Sequence, residues 1–599
     1  MATEEEEISI QEDLSLKIKL SNRLVLSAKE AESFKSECSE LALHTTQLIE
    51  HLLSLARRDT TATFYDRPIR RVTAELSKIL PRAIRLARRC KHKKSAKNVL
   101  RHVFSVSVSA DIEKVSAQIK SSIADLKWLV SLHDCTSGSV NLSLPPMACN
   151  DPILAWVWSY IAVLHMGSVK ERTDAAQELA AIALINDRNK KIIIEENGIA
   201  PLLKLLKESV TCESQIAAAS ALFNLGNSPE RVWLIANDHG ISIIVKLLLE
   251  MPPMSVQVVL VNLVWRMADL DDGVREEFGR ENVVRPLVVL LGMDVVLDEL
   301  VKKEEPRRTT SMHSLVLMNR QITGNGSNGV YGNSKSLNYG GNRWEKEREK
   351  VVESPEVKLK LKESCAMALW KLVKGNLSNS KKIMETKALL VLAKIIEKEK
   401  GELQFNCLMT VMELAAVAEC HGDFRRMAFK PNSPAAKAIL DQLLRMIIEN
   451  ADTQLLIPAI KAIGCLARTF PARETRIIEP LVSLLGNVDK DVVREVAIAL
   501  VKFVCPDNFN HVEHSKAVVE FNGVSKLVTL VKTNYGSQLY GLLLLCYLAM
   551  HVGNSKAFEQ VQVLSVLDGD AHDTLAQYPD LSELFAKARH HLTLFKSEA

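Results

Sequence analysis

The sequence predicts an all-α protein in which helical repeats stack into a right-handed solenoid behind an N-terminal four-helix bundle. One apolar pattern occurs three times in the central part of the chain. It puts Pro201, Ile243 and Pro286 in equivalent positions, 42 and 43 residues apart, and a fixed period in this range is typical of helical repeat arrays. The composition agrees, because 47% hydrophobic and only 5% aromatic residues suit stacked Leu, Ala and Val helices.

The chain opens with an acidic segment and a helical module. Residues 1–13 carry six acidic residues and no basic one, which predicts a disordered tail. Between residues 14 and 132, four stretches space their apolar residues three and four apart, the pattern of amphipathic helices. Short breaks join them, so we expect an antiparallel four-helix bundle. Pro81 falls inside the third stretch and is expected to kink or divide that helix.

A run of basic side chains without an acid ends the third stretch. Its members are Arg82, Arg85, Arg88, Arg89, Lys91, Lys93, Lys94 and Lys97. Such a cluster can bind anionic lipid headgroups or an acidic protein surface, at about 1 kcal/mol per basic residue near a charged leaflet. The alternatives are a solvated face that balances the acidic tail and a nuclear localisation signal in KHKK. Nucleic acid is disfavoured, because no aromatic residues interleave with these bases.

The repeat array follows a polar, proline-containing linker at residues 133–151. It is expected to occupy residues 152–293 and 359–590, with about eight or nine units whose length and pattern are of the armadillo type. The anchor position recurs at Val391, Leu443, Pro480 and Lys526. Residues 294–358 interrupt the array, and their Gly- and Asn-rich centre predicts a disordered insertion.

The sequence favours a protein that binds over one that reacts. It contains no GxSxG, P-loop or kinase signature, so neither a catalytic residue nor a cofactor is expected. The pairs His511 with His514 and Cys420 with His421 lack a second pair at zinc-ligand spacing, and surface histidines are the better interpretation. Eleven cysteines without a CxxC pair suggest free thiols in a reducing compartment. With no signal peptide and a longest uncharged apolar run of twelve residues, we expect a soluble intracellular protein.

A partner-binding groove is expected along the last helix of each unit. Aligning these helices on their apolar pattern puts five polar residues of the array in one position: Asn224, Asn262, Lys371, Glu413 and Lys502. Asn amides can pair with the backbone of an extended partner. The two lysines would repel a basic peptide and could meet an acidic partner, which argues against a nuclear import adaptor that reads basic signals.

Several stretches together resemble one known group of proteins. They are FYDRPIRR from Phe64, NDPILAWVW from Asn150, GSVKERTDAA from Gly167 and, most specifically, the long run ESPEVKLKLKESCAMALWKLV from Glu353. These stretches are similar to the plant armadillo-repeat-only proteins, and the similarity spans nearly the whole chain. The resemblance implies an adaptor in polarised plant cell growth that works with Rho-type small GTPases of plants or their regulators. It also implies a location in the cytoplasm and at the cell periphery, and it supplies no catalytic residue.

Two other functions compete with this interpretation. A nuclear transport or transcriptional adaptor would use the basic cluster as a nuclear signal, and the nucleus would then be its location. A ubiquitin ligase would suit many plant armadillo proteins, but the N-terminal region lacks the β-rich pattern of a U-box.

Overall fold

The computed structural model describes residues 9–57, 65–91, 101–134, 152–295, 354–449, 452–472, 474–533, 538–569 and 577–596. Within these ranges every regular element is a helix, so the predicted all-α class is confirmed. The chain divides into two compact units, Met1–Ile243 and Ile244–Ala599.

The first unit begins with the predicted bundle. Its helices are α1 (Ile10–Lys29), α2 (Lys35–Ala56), α3 (Arg67–Arg89) and α4 (Arg101–Asp134). Around the bundle, α1 contacts α2 and α3, and α4 contacts the same two helices. Helices α2 and α3, although consecutive in the chain, therefore lie diagonally opposite each other.

Helix ends in the bundle differ from the predicted ones for local reasons. Helix α1 begins at Ile10, inside the stretch predicted as a tail, because Ser9 and Glu12 form a reciprocal capping box that satisfies free backbone N–H groups. Helix α3 runs through Pro81 to Arg89 without a break, so the expected division of this helix is wrong. The predicted linker is bordered by Asp134 and Pro152, and residues 135–151 lie outside the described residues.

Six more helices complete the first unit. They are α5 (Pro152–Met166), α6 (Val169–Ile185), α7 (Asp187–Glu195), α8 (Ile199–Glu208), α9 (Cys212–Leu225) and α10 (Pro229–Asn237). Helices α7, α8 and α9 make one complete repeat of a short, a medium and a long helix. The next helix, α11 (Gly240–Leu249), spans the boundary between the units.

The second unit continues the same three-helix plan. Its helices are α12 (Met254–Leu270), α13 (Asp272–Arg280), α14 (Val284–Leu291), α15 (Pro355–Val373), α16 (Leu377–Met384), α17 (Ala388–Lys398), α18 (Glu402–Cys420), α19 (Gly422–Ala428), α20 (Pro434–Ile448), α21 (Thr453–Cys465), α22 (Ile478–Leu484), α23 (Lys490–Val504), α24 (His511–Glu520), α25 (Gly523–Thr533), α26 (Gln538–Val552), α27 (Lys556–Gln560), α28 (Val563–Gly569) and α29 (Ser582–Lys596). Short 3₁₀ turns lie at Ala467–Thr469, Thr475–Ile477 and Pro579–Leu581. All seven predicted anchor positions fall in the helix directly before a long helix.

The long helices of the second unit form its spine. Helices α12, α15, α18, α21, α23, α26 and α29 each contact the next in this order, so neighbouring repeats share one apolar core. One of them, α18, is long and apolar enough to cross a bilayer, yet 61% of that window is buried against the rest of the protein.

The turn before the medium helix explains why the repeat pattern is visible in the sequence. Asn197, His239 and Asn522 adopt positive φ angles of 61°, 63° and 62°, which Asn and His tolerate better than most residues. A glycine follows each of them. At Gly240, for example, a Cβ atom would stand 2.5 Å from the Ile235 carbonyl oxygen, so the close approach of the preceding short helix excludes a side chain.

The insertion does not break the stacking of the second unit. Helix α15 begins at Pro355, inside the predicted range of 294–358, and residues 296–353 lie outside the described residues. Asp294 and Lys358, at the two ends of the insertion, form an ion pair at 2.5 Å. The long helices on either side, α12 and α15, are in contact.

Candidate functional site

A buried polar residue marks the same position in three neighbouring long helices of the second unit. It is Gln257 in α12, Lys362 in α15 and Gln404 in α18, all at least nine-tenths buried. The Gln257 amide donates to the Pro252 carbonyl of the preceding turn at 2.7 Å, and the Gln404 amide donates to the Ile396 carbonyl of α17 at 2.9 Å. Lys362 instead donates to Glu399 at 3.0 Å. We call these three residues the register position.

The same surface positions recur at fixed distances from the register position. The residues five, eight and nine places later are half-buried in each of the three helices. The residues nine places later are Arg266, Lys371 and Glu413, and we call them the slot row. This row is the predicted groove position.

Asn262 does not belong to the slot row, so its predicted alignment is wrong. It stands one helical turn earlier, five places after the register position, level with Met367 and Met409. Its side-chain oxygen accepts a hydrogen bond from the Trp265 indole at 3.1 Å. Apolar residues spaced three and four apart repeat at every helical turn, so two long helices can be aligned by sequence in several ways that differ by one turn. The buried Gln257 identifies the correct alignment for α12.

Asn224 lies in the first unit, on α9, and its amide already has a partner. The side-chain nitrogen donates to the Ala180 carbonyl of α6 at 3.0 Å. This bond joins two neighbouring long helices. Part of the hydrogen-bonding capacity predicted for an incoming backbone is therefore used inside the fold.

Lys371 and Lys502 are neutralised by ion pairs within the second unit. Lys371 contacts Asp269 at 3.1 Å, with its side chain only 14% exposed, and its ammonium lies 4.1 Å from the centre of the Trp370 ring. Lys502 contacts Glu419 at 2.8 Å. We predicted that these lysines repel a basic partner and attract an acidic one. That prediction required unpaired lysines, so it has no support here.

Glu413 is the charged slot residue without such a partner. It is half-buried, and within the described part of the chain its carboxylate forms neither an ion pair nor a side-chain hydrogen bond.

On the next long helix, α21, Cys465 has a buried thiol whose pKa is raised by burial to about 12. A thiol that stays protonated at neutral pH is a poor nucleophile.

An apolar strip, which was not among the residues predicted from the sequence, runs beside the slot row. It consists of the half-buried side chains Trp265, Trp370, Phe405, Met409 and Met412. The Trp370 and Phe405 rings meet edge to face, 5.9 Å between centroids, and the Arg266 guanidinium lies 4.8 Å from the Trp265 ring centre. The signal was available, because an apolar residue directly precedes each slot residue.

The basic cluster in α3 has an exposed centre and paired ends. Arg85, Arg88 and Arg89 are exposed, and in the part of the chain that the structure describes none of the three has an ion pair. At the ends, Arg82 pairs with Asp111 and Lys91 pairs with Glu30, both at 3.1 Å. Lys93, Lys94 and Lys97 lie outside the described residues.

The histidine pairs have structural surroundings. His514 is completely buried, which corrects its prediction as a surface residue. Its Nδ1 faces the Phe503 carbonyl at 3.3 Å, and its ring meets Phe503 edge-on at 5.1 Å. Among the described residues, no group of three or more His, Cys, Asp or Glu could hold a metal ion.

The first unit contains a buried junction of Arg71, Trp158 and Glu196, which no local sequence pattern predicted. Glu196, in the turn between α7 and α8, is 3% exposed. Its carboxylate accepts the Trp158 indole N–H at 2.8 Å and pairs with Arg71 of α3 at 2.7 Å. The Tyr65 hydroxyl donates to the Glu196 backbone carbonyl at 3.2 Å. The junction ties the bundle to the first complete repeat.

Two segments of the chain match known family models. Residues 11–134 match the family described as a domain of unknown function (DUF7792). Residues 186–226, which cover α7, α8 and α9, match the family described as Armadillo/beta-catenin-like repeat. The repeat formed by α7, α8 and α9 is therefore an armadillo repeat. Armadillo repeats commonly mediate protein binding, since their stacked helices offer an extended surface.

The chain is also similar to solved structures of engineered proteins. One engineered protein is 21% identical, with 73% of this chain and 99% of that chain covered and a TM-score of 0.47. Designed armadillo repeat proteins for modular peptide recognition are 17% identical over 51% of this chain and 98% of theirs, with a TM-score of 0.36. A designed armadillo repeat protein in complex with the peptide (KR)4 is 15% identical over 58% and 98%, with a TM-score of 0.32. A search of curated proteins gives no match.

Proposed function

We propose that the chain is a non-enzymatic adaptor whose armadillo repeats bind a protein partner along the long helices of the second unit. The observation that carries the proposal is the apolar strip, which presents two tryptophans at the same position of neighbouring repeats, α12 and α15. Half-buried Trp side chains on a regular surface are typical of binding hot spots. A Trp at the same surface position of two neighbouring repeats indicates that this surface recognises a partner and does not serve packing alone.

The chemistry of this face supports binding rather than catalysis. Lys371 and Lys502 are ion-paired, so neither offers a free amine to a substrate. The Cys465 thiol has a pKa raised by burial to about 12. These groups stabilise the face and leave its apolar side chains to make contacts.

The resemblance to plant armadillo-repeat-only proteins supports a finer proposal about the partner. We infer that the partner is a Rho-type small GTPase of plants or one of its regulators, and that the complex acts in polarised growth. The corresponding location is the cytoplasm and the periphery of the plasma membrane. The competing nuclear adaptor would instead concentrate in the nucleus.

The double substitution Trp265→Ala and Trp370→Ala should weaken partner binding by the full chain roughly 30- to 1000-fold, because a Trp hot spot contributes about 2 kcal/mol or more and neighbouring contributions are not strictly additive. The measurement is affinity capture from the cells that express the protein, with each recovered protein quantified by mass spectrometry. The control is Trp233→Ala, which removes a 54% exposed Trp from α10. Equal recovery with both variants would mean that the apolar strip is not the binding face, and a captured Rho-type GTPase or regulator would support the finer proposal.

The exposed arginines of α3 support a second contact, with an anionic membrane surface. Three positive charges lie on the exposed side of α3, at Arg85, Arg88 and Arg89. None of these arginines forms an ion pair with a carboxylate of the described residues. Acidic phospholipids attract such charges within a Debye length of the bilayer. The acidic partners Asp111 and Glu30 neutralise only the ends of the cluster.

Replacing Arg85, Arg88 and Arg89 with Gln should weaken binding to phosphatidylserine-containing vesicles roughly a hundredfold, since each basic residue near the leaflet contributes about 1 kcal/mol. Vesicle co-sedimentation at two salt concentrations measures the change. A matched control replaces three exposed lysines of the second unit, Lys381, Lys387 and Lys398, with Gln. If both triple variants bind alike, the α3 cluster is a solvated face; if the α3 variant instead loses nuclear entry in cells, the nuclear adaptor is favoured.

A further inference from the structure

We propose that Glu413 and the apolar strip form one subsite for an extended partner segment that carries a Lys or Arg two positions from a large apolar residue. This inference rests on the proposed function and names the chemistry of its partner. It reverses the charge preference predicted from the sequence, in which Lys371 and Lys502 repel a basic segment.

Glu413 supplies the charge of the proposed subsite, whereas the slot residue Arg266 lies on α12 with its guanidinium 4.8 Å from the Trp265 ring centre. Lys371 is held by Asp269 and Lys502 by Glu419, so each pair carries no net charge. Glu413 lies on α18, between the helices that carry Lys371 and Lys502, and it is half-buried with its carboxylate unpaired in the described residues. A partly desolvated carboxylate gains from a cationic partner more than a fully solvated one does.

The apolar half of the subsite lies on α18, the helix that carries Glu413, and on the neighbouring helix α15. Met409 and Met412 stand on α18, one turn before Glu413 and directly before it. Trp370 and Phe405 approach edge to face at 5.9 Å, which joins α15 to α18 at this point. Unbranched Met side chains adapt to the shape of an apolar guest, and the aromatic edge supplies a fixed wall.

An extended partner segment can place one side chain at each half of the subsite. Packed helices have axes about 8–10 Å apart, while side chains on one face of a strand repeat about every 6.6 Å, two residues apart. A long Lys or Arg side chain spans the remaining distance. The expected partner motif is therefore a large apolar residue and a basic residue separated by one position.

An acidic partner fits this part of the face less well. It would bring a second carboxylate beside Glu413, and like charges brought together in a half-buried site oppose binding. It could use Lys371 only by displacing Asp269, which is already in contact with that lysine.

Selection from a random twelve-residue peptide display library tests the inference with the full chain as bait. Wild type should enrich peptides with Lys or Arg two places from Trp, Phe, Leu or Met. Synthetic fluorescein-labelled copies of the enriched peptides are then measured by fluorescence anisotropy against variants. We expect Glu413→Gln to weaken binding roughly three- to tenfold, and Glu413→Lys to select Asp or Glu at the same place.

The control variant is Glu277→Gln, which removes an exposed carboxylate from α13 away from the long helices and should bind the same peptides as wild type. Peptides that depend on Trp370 but show no basic preference, with Glu413→Gln unchanged, would overturn the subsite and leave the proposed function standing. A library from which wild type enriches no Trp370-dependent peptide would overturn both.

Discussion

Replacing Trp158 with alanine is expected to destabilise the first compact unit by about 3–5 kcal/mol, the range for truncating a buried aromatic residue. Trp158 is 1% exposed and stacks on Trp128 of α4, 6.0 Å between ring centroids. Its indole N–H is also the donor to Glu196 at 2.8 Å. The substitution therefore opens a cavity and leaves a buried carboxylate with one fewer partner.

Hydrogen exchange followed by mass spectrometry measures this loss in peptides that cover α3, α4 and α5. The control is Trp156→Ala, two residues away on the same helix, where the side chain is 44% exposed and the expected cost is below about 1 kcal/mol. A third variant, Trp158→Phe, keeps most of the ring and removes the N–H donor. If Trp156→Ala and Trp158→Ala accelerate exchange equally, the junction at Glu196 does not hold the bundle to the repeats.

The repeat architecture could be predicted from the sequence because its signals are local. A residue with positive φ lies between the short helix and the medium one at Asn197, His239, Asn282 and Asn522, and a glycine follows three of these four residues. Because this local signal recurs at the same place in several repeats, the period can be read directly. The capping box of Ser9 and Glu12 is an equally local signal, and it would have placed the start of α1 correctly.

The candidate site could be predicted only in part, because its register depends on a contact with the preceding turn. The Gln257 amide bonds to a carbonyl five residues earlier, and that bond decides which turn of α12 faces outward. Apolar spacing alone offers several equivalent alignments. The choice of Asn262 in place of Arg266 follows from this ambiguity.

The charge of the face could not be predicted from single residues. Lys371 meets Asp269 across an interval that includes the whole insertion, and Lys502 meets Glu419 across 83 residues. A sequence shows which charges exist and not which of them cancel. The junction of Arg71, Trp158 and Glu196 escaped prediction for the same reason, since its members come together only in the folded unit.

A second large effect is expected in the second unit, where α13 packs against α16. Gly279→Ala should cost about 3 kcal/mol, because overpacking a tight site and losing buried hydrogen bonds act together. A Cβ atom at residue 279 would stand 1.8 Å from the Asn379 side-chain oxygen. The Asn379 amide is fully buried and donates to the Arg275 and Leu372 carbonyls at 3.0 and 2.9 Å, so it cannot move without breaking both bonds.

A matched control for this substitution lies on the same helix. At Gly273 the nearest atom to an added Cβ is a side-chain oxygen of Asp271 at 3.2 Å, and the residue is exposed. Gly273→Ala should be neutral or stabilising by up to about 1 kcal/mol, because alanine favours the helix more than glycine does. Urea unfolding followed by circular dichroism, together with hydrogen exchange of α13 and α16, compares the two variants.

A double-mutant cycle isolates the contact itself. Asn379→Ala alone removes both hydrogen bonds and is expected to cost about 2–3 kcal/mol. In that background Gly279→Ala should cost little, because the new methyl group enters the space that the amide has left, so the two changes should show a coupling energy of roughly 2 kcal/mol. Strictly additive costs would mean that the Asn379 amide is not what opposes a side chain at residue 279. The tight packing of neighbouring repeats at α13 and α16 would then need another explanation.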